Sequence, residues 1–323
     1  MTQEVEVEDR TSVPRRLVVG YDGSPVAQAA VAYAAGRAGA DGELVIVHAY
    51  GPPPEWQGTV QWARSVRHHE EHGRRLFGEL AEDLTAGVQV EEKLVLGPAA
   101  RTLVEVAEAH GSEEIVVGSR GFGPFRAMLG SVSHALLHEA HVPVVIIPAR
   151  ALGAAPDVHP PQVIVVGYDG SPTAKDALSH AAYRAGPDGS LVAVHVFGPP
   201  FAYGGAPYYD DAARDARARA QQTLAEIPAD LVGAVPLERV VAEAPVADAL
   251  VQVARSKRAD EIVVGSRGLG RFRAALGSVS HAVLHEADRP VIVVPHARPA
   301  SERDLEVGLD LTRRVRLVPW VSP

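Results

Sequence analysis

A chain of 323 residues is about twice the common size of a single domain, which points to two domains, each able to bury a core. With 46% hydrophobic and 22% charged residues the composition is globular, and the absence of cysteine excludes disulfides, thiolate catalysis and cysteine zinc sites. A net charge of −9 with no concentrated basic segment argues against nucleic acid as a partner.

Residues 1–14 open with MTQEVEVEDR, acidic where a secretory signal needs a basic start and an apolar stretch. No apolar run reaches the ~18 residues of a membrane span. The expected location is the cytoplasm, with no membrane contact. Strands are then expected at Arg16 to Gly20, Glu43 to His48, Val88 to Leu94, Glu114 to Gly118 and Val144 to Ile147, separated by longer helical patterns. Ser24 followed by Pro25 marks the first helix start, the hydroxyl accepting an orphan N–H and the ring presetting φ. Short Val/Ile runs alternating with helices are the pattern of βαβ units. The expected fold class is α/β: two Rossmann-like domains, each a five-stranded parallel sheet with helices on both faces.

A shift of 147 residues superposes the chain on itself. Val18 to Pro25 and Val165 to Pro172 both read VVGYDGSP, and Glu113 to Pro148 matches Asp260 to Pro295 at 26 of 36 positions. The chain is a tandem duplication, with domains expected at 15–148 and 162–296. Between them the proline-bearing, aperiodic stretch 149–161 reads as a linker. Residues 297–323 have no counterpart in the first copy and stand as a C-terminal extension. The fifth strands, Val144 to Ile147 and Val291 to Val294, end their sheets and carry no charge to deter pairing. The two copies are therefore expected to join there as an intrachain pseudo-dimer, and a homodimer of such tandem chains remains open.

Gly118-Ser-Arg-Gly121 directly follows a strand, and after eight residues Gly130-Ser131 opens a helix; Gly265 to Ser278 repeats the arrangement. Glycines bring backbone N–H groups close to an oxyanion, and the first turn of the helix adds unpaired donors at its positive end. That is phosphate-binding chemistry. Arg120 and Arg267 lie inside the motif, where each either screens phosphate charge or is an ordinary loop arginine. The recurring aromatics Tyr21, Tyr168, Phe125 and Phe272 read as packing.

With these motifs the sequence resembles the universal stress protein family in its tandem form, over Arg15 to Pro148 and Gln162 to Pro295. The ATP-binding members of that family carry G-x2-G-x9-G followed by Ser or Thr. Here the spacer is eight, FGPFRAML and LGRFRAAL, and one residue fewer moves a helix origin by ~1.5 Å and ~100° unless the loop absorbs it. The resemblance implies a strand order 3-2-1-4-5 with ATP across the carboxyl ends of strands 1 and 4, together with magnesium. That is where the order reverses and a crevice opens. It implies Asp22 and Asp169 beside the nucleoside, and the backbone of Ala49 and Val196, which follow His48 and His195, against the adenine. The implied phosphate cradle is Gly118, Gly121, Gly130, Ser131 and Ser133, repeated as Gly265, Gly268, Gly277, Ser278 and Ser280, with Arg120 and Arg267 beside it. For the two aspartates an Asx turn into the helix is a compatible second role.

Other chemistries find less support. G-x-G-x-x-G is absent after the first strand, and no Gly-Lys pair exists for a P-loop. His68, Glu71 and His72 satisfy H-x-x-E-H, but the counterpart reads DARAR; His134 with His138 and His281 with His285 lack a third ligand nearby. These histidines read as helix faces and no metal site is assigned. The expectation is an ATP-dependent stress-response regulator whose protein partner the sequence does not name. A weak ATPase or nucleotidyl-handling enzyme, with at most slow hydrolysis, and a ligand-independent interaction module are the alternatives.

Overall fold

Runs of branched residues that must be covered on both sides are what a parallel sheet requires. The computed structural model describes residues 15–51, 56–119, 129–152, 162–197, 209–243, 245–266 and 277–296. In the first copy the strands are β1 (Arg16–Gly20), β2 (Glu43–Tyr50), β3 (Gln89–Leu96), β4 (Glu114–Gly118) and β5 (Val144–Ile147). The second copy supplies β6 (Val163–Gly167), β7 (Ser190–Phe197), β8 (Leu237–Glu243), β9 (Glu261–Gly265) and β10 (Val291–Val294). The helices are α1 (Pro25–Ala38), α2 (Val60–Gly78), α3 (Ala99–His110), α4 (Ser131–Glu139), α5 (Pro172–Ala185), α6 (Tyr209–Ala225), α7 (Val246–Ser256) and α8 (Ser278–Glu286). Both α1 and α5 start as the Ser-Pro pair requires: Ser24 and Ser171 accept the N–H of Ala27 and Ala174.

Each copy has the order 3-2-1-4-5, but the two sheets are one. The full order is β3-β2-β1-β4-β5-β10-β9-β6-β7-β8, parallel within each copy and antiparallel where β5 meets β10. The uncharged fifth strands pair as expected, with Val145 opposite Ile292. Helices α1 and α5 cover one face and α3, α4, α7 and α8 the other, each core running through both copies. Two strand ends differ from the sequence reading. β2 continues past His48 to Tyr50 and β3 to Leu96, because these strands go on pairing with each other after β1 has stopped. The linker is not aperiodic from its first residue either: Ala149–Ala151 form a 3-10 turn that buries Ala151.

The joint between the copies is testable directly. Val145 and Ile292 are fully buried and face one another. Lysine at both places would set two ammonium groups in apolar surroundings, where a charge cannot be kept without a partner. Val145→Lys with Ile292→Lys is expected to abolish amide-exchange protection in β5 and β10, and unchanged protection would show that this edge is not the joint.

At the amino end of the strands lies a second tie, built from residues at corresponding positions of the two copies. Arg184, fully buried on α5, bonds to Glu114 of β4, to Glu261 of β9 at 2.7 Å and to the Tyr33 hydroxyl of α1. Tyr33 in turn donates to Glu261 at 2.5 Å, and His180 bonds Glu114 at 3.0 Å. Arg37, the counterpart of Arg184, donates to Gln162 at 2.8 Å. Burial pushes both carboxyl groups up, but the Arg184 guanidinium more than reverses this and holds them below the ordinary range.

Candidate functional site

Parallel order makes the site. Because β1 sits between β2 and β4, the connections from β1 and β4 leave in opposite directions and a crevice opens above their carboxyl ends. A cavity of about 560 Å³ lies there in the first copy. Its walls are apolar side chains, Ala27, Val47, Leu103, Val117 and Leu129 among them, and its polar groups come from Asp22, His48, Gly118 and the start of α4.

Of the residues expected in the first-copy site, Asp22, Ala49, Gly118, Gly130, Ser131 and Ser133 all line this cavity. Arg120, Gly121, Arg267 and Gly268 lie outside the described residues, as do Phe125 and Phe272. In the second copy Asp169, Val196, Gly265, Gly277, Ser278 and Ser280 hold the corresponding places at the ends of β6, β7 and β9 and the start of α8.

Asp22 makes the Asx turn: its Oδ1 accepts the Ser24 N–H at 3.0 Å, and Asp169 does the same for Ser171. Gly23 follows at φ +80°, in the left-handed region where a side chain is strained, and a Cβ there would meet Leu76 at 2.5 Å. The turn thus carries α1 away from the cleft while Asp22 stays at its rim.

The start of α4 forms part of the cavity wall. Gly130 precedes it with no side-chain cap, and among the described residues no hydrogen bond engages the first-turn N–H groups of Ser131, Val132 and Ser133, which line the cavity, whereas Ser24 caps α1. Gly277 opens α8 in the same uncapped way. Ser133 is committed otherwise: its hydroxyl donates to the Gly118 carbonyl at 2.8 Å, and Ser280 does so to Gly265. These serines lash the helix to the strand end. The Gly130 N–H also bonds the Ser119 carbonyl at 2.7 Å, as Gly277 bonds Ser266. The helix origin is therefore tied to Ser119 and Gly118, and of the spacer 122–129 only Leu129 lies within the described residues.

On the opposite wall the ladder between β1 and β2 stops one rung early. The Tyr21 N–H bonds the Val47 carbonyl, so Val45, Val47 and Ala49 turn their backbone groups toward β1, while the Tyr50 carbonyl, bonded by Gly97, faces β3. The next rung would be the Ala49 N–H on the Tyr21 carbonyl. It is absent, and among the described residues the Ala49 N–H and C=O have no backbone partner on the cavity side. The Tyr21 carbonyl instead accepts from His48 Nδ1 at 2.8 Å. His48 carried no role in the sequence reading; its recurrence as His195 was the available signal.

The sequence profile of the universal stress protein family matches residues 14–148 and again 161–295. The chain belongs to the universal stress protein family. A universal stress protein of Mycolicibacterium smegmatis is 34% identical over 297 residues, covering 86% of this chain and 96% of the relative. One from Mycobacterium tuberculosis is 36% identical over 298 residues, covering 86% and 95%. The crystal structure of a universal stress protein from Archaeoglobus fulgidus covers 88% of this chain and 97% of its own at 22% identity with a TM-score of 0.61, a likeness of fold. Among the described residues of this tandem universal stress protein no helix is long and apolar enough to cross a membrane. The i, i+4 histidine pairs meet as rings, 4.8 Å apart for His134 and His138 and 4.5 Å for His281 and His285. Among the described residues no group of three or more potential ligands gathers around either.

Proposed function

We propose that each copy binds an adenine nucleotide, ATP with magnesium as its counter-ion, and that occupancy biases contacts with a protein partner in a cytoplasmic stress response. The observation that carries this reading is the cavity above β1 and β4, which gathers a polar strand edge, a carboxylate and an uncapped helix start around an apolar floor. Its volume is that of a small-molecule site, for which about 300–1,000 Å³ is usual. The base would lie against the Ala49 backbone, the sugar beside Asp22, and the phosphates over the N–H groups of α4. The bound metal would offset phosphate charge. A ligand so held acts on partners only through its differential affinity for the chain's states. The domains acting this way are 15–148 and 162–296, joined by 149–161.

Binding is expected to outlast turnover. Among the described residues lining the cavity there is no lysine or arginine, and the one acid, Asp22, already accepts a backbone N–H. With no Gly-Lys pair in the chain to supply a P-loop lysine, such a site would cradle a nucleotide without favouring the transition state of hydrolysis. Phosphate release by purified protein is expected to be far below the ~10 s⁻¹ of a common enzyme. Release at that rate, removed by Gly130→Glu, would make the chain an enzyme. The test of the reading itself is mass spectrometry of small molecules released on denaturation, with titration of stripped protein by ATP, ADP and GTP. Stripped, folded protein that ignores all three at millimolar concentration would refute it.

A further inference from the structure

We infer that His281 and His285 of α8 form a two-ligand site for a borderline divalent metal ion of the zinc, nickel and copper class, on the solvent side of the second copy. The site is independent of the nucleotide reading above.

Positions four apart on a helix share a face. Val283 and Leu284 turn the other side of α8 into the core, at 0% and 6% exposure, which leaves His281 exposed and His285 half-buried. Spacing alone lets two such rings point together or apart. Here they meet, with centroids 4.5 Å apart and the two Nε2 atoms at 3.3 Å. Two zinc–nitrogen bonds of 2.0–2.1 Å at the tetrahedral angle hold their nitrogens about 3.3–3.4 Å apart. The pair therefore has the separation of a chelate before any ion arrives.

The protons can follow. At 3.3 Å one ring donates its Nε2–H to the other ring's Nε2. Coordination asks only that the donating ring carry its proton on Nδ1 instead, a change of tautomer that costs the pair no proton. Neutral imidazole suits zinc, copper and nickel, whereas magnesium and calcium take oxygen ligands.

The backbone beneath the pair is held at both ends. Ser280, just before His281, is 2% exposed and donates its hydroxyl proton to the Gly265 carbonyl at 2.8 Å. Ala287, two residues past His285, is 1% exposed. Ligands carried on a fixed helix lose little freedom when an ion binds. His285 also lies in the last turn of α8, where the negative end of the helix favours a cation.

Among the described residues no third ligand gathers here, so the remaining coordination positions belong to water. Half the binding free energy of a closed four-ligand zinc site corresponds to a dissociation constant on the order of 10 μM. Such a site exchanges its ion with the surroundings and holds no structure together. On α4 the rings of His134 and His138 stand 4.8 Å apart. The inference is placed on α8, where the nitrogens themselves converge.

The test uses the untagged full chain, stripped with a chelator, with zinc ion alone as the probe. Carbethoxylation of each histidine is read by peptide mass spectrometry. About 100 μM zinc should slow modification of both His281 and His285 about tenfold, and magnesium at that concentration should slow neither. In His281→Ala one ligand is gone and affinity should fall about a hundredfold, so His285 should react at one rate with and without zinc. His281 is exposed, so this variant is expected to fold. Wild-type His281 and His285 that react equally fast with and without zinc overturn the inference. So does zinc protection of His285 that survives in His281→Ala, since a single imidazole would then be the ligand, and so does equal protection by magnesium.

Discussion

Arg184→Met is expected to destabilise the chain by roughly 3–5 kcal/mol, the usual cost of removing one partner from a buried ion pair. Arg184 is wholly shielded from water and is the cation bonded to both Glu114 and Glu261, themselves 3% and 1% exposed. Without it two carboxylates lie buried, hydrogen-bonded among the described residues only to Tyr33 and His180. Arg37 replaces it only as a more distant charge, because its guanidinium hydrogen-bonds Gln162 and the Arg184 carbonyl. Urea denaturation at neutral pH measures the loss. The triple variant Glu114→Gln, Glu261→Gln, Arg184→Met should recover most of it, since a buried network replaced as a unit leaves no charge behind. A loss below about 1 kcal/mol for Arg184→Met would mean that water reaches the network.

The pH dependence of the two proteins should have opposite signs. In the wild type the folded-state pKa of Glu114 and Glu261 is depressed below the ordinary glutamate value of 4.5. The network's contribution is then complete above that value and is lost as pH falls through the folded pKa. In Arg184→Met burial is opposed only by the smaller pulls of His180 on Glu114 and of Arg37 and Tyr33 on Glu261, and both groups are expected to rise. A raised carboxyl contributes most below its unfolded pKa and loses that contribution as pH rises, so the variant should gain stability from pH 7 toward pH 5, where the wild type changes little.

How much of this was legible beforehand differs between the sheet and the ties that hold it. The alternation of strands and helices and the duplication were legible in local pattern, the strand order came with the family resemblance, and the β5–β10 joint was announced by two uncharged end strands. The Arg184 network was not legible. Arg37 and Glu114 look like ordinary charges in a chain with 40 acidic residues, and only the pseudo-two-fold places Tyr33 against Glu261, 228 residues away. The site divides similarly. Gly130-Ser131 and Asp22 announce themselves by turn chemistry, whereas the bond from His48 to the Tyr21 carbonyl joins residues 27 apart in the chain and has no local pattern.

Gly130→Glu is expected to abolish nucleotide binding in the first copy and leave the fold intact, and Gly277→Glu to do the same in the second. Neither glycine is required by its backbone: Gly130 has φ −63° and ψ 153°, and Gly277 has φ −60° and ψ 143°, extended values open to any residue. A carboxylate at a helix start is favourable, by about 0.3–1 kcal/mol, so folding should be neutral to slightly improved. What the substitution removes is the room and the positive potential in front of the uncapped N–H groups. A like charge about 4 Å from a phosphate costs on the order of 4 kcal/mol at an effective dielectric constant near 20, about a thousandfold in affinity. Each copy retains its aspartate, its cradle glycines and its helix-opening serine, so calorimetric titration of stripped wild type should give about two ATP per chain. Either single variant should give one and the double variant none, at unchanged thermal stability. A wild type that takes up a single equivalent, lost in only one of the variants, would make the other copy a scaffold that completes the ten-stranded sheet. The surroundings of the two aspartate turns differ enough for that outcome to be informative, since Leu76 packs against Gly23 where Thr223 stands against Gly170.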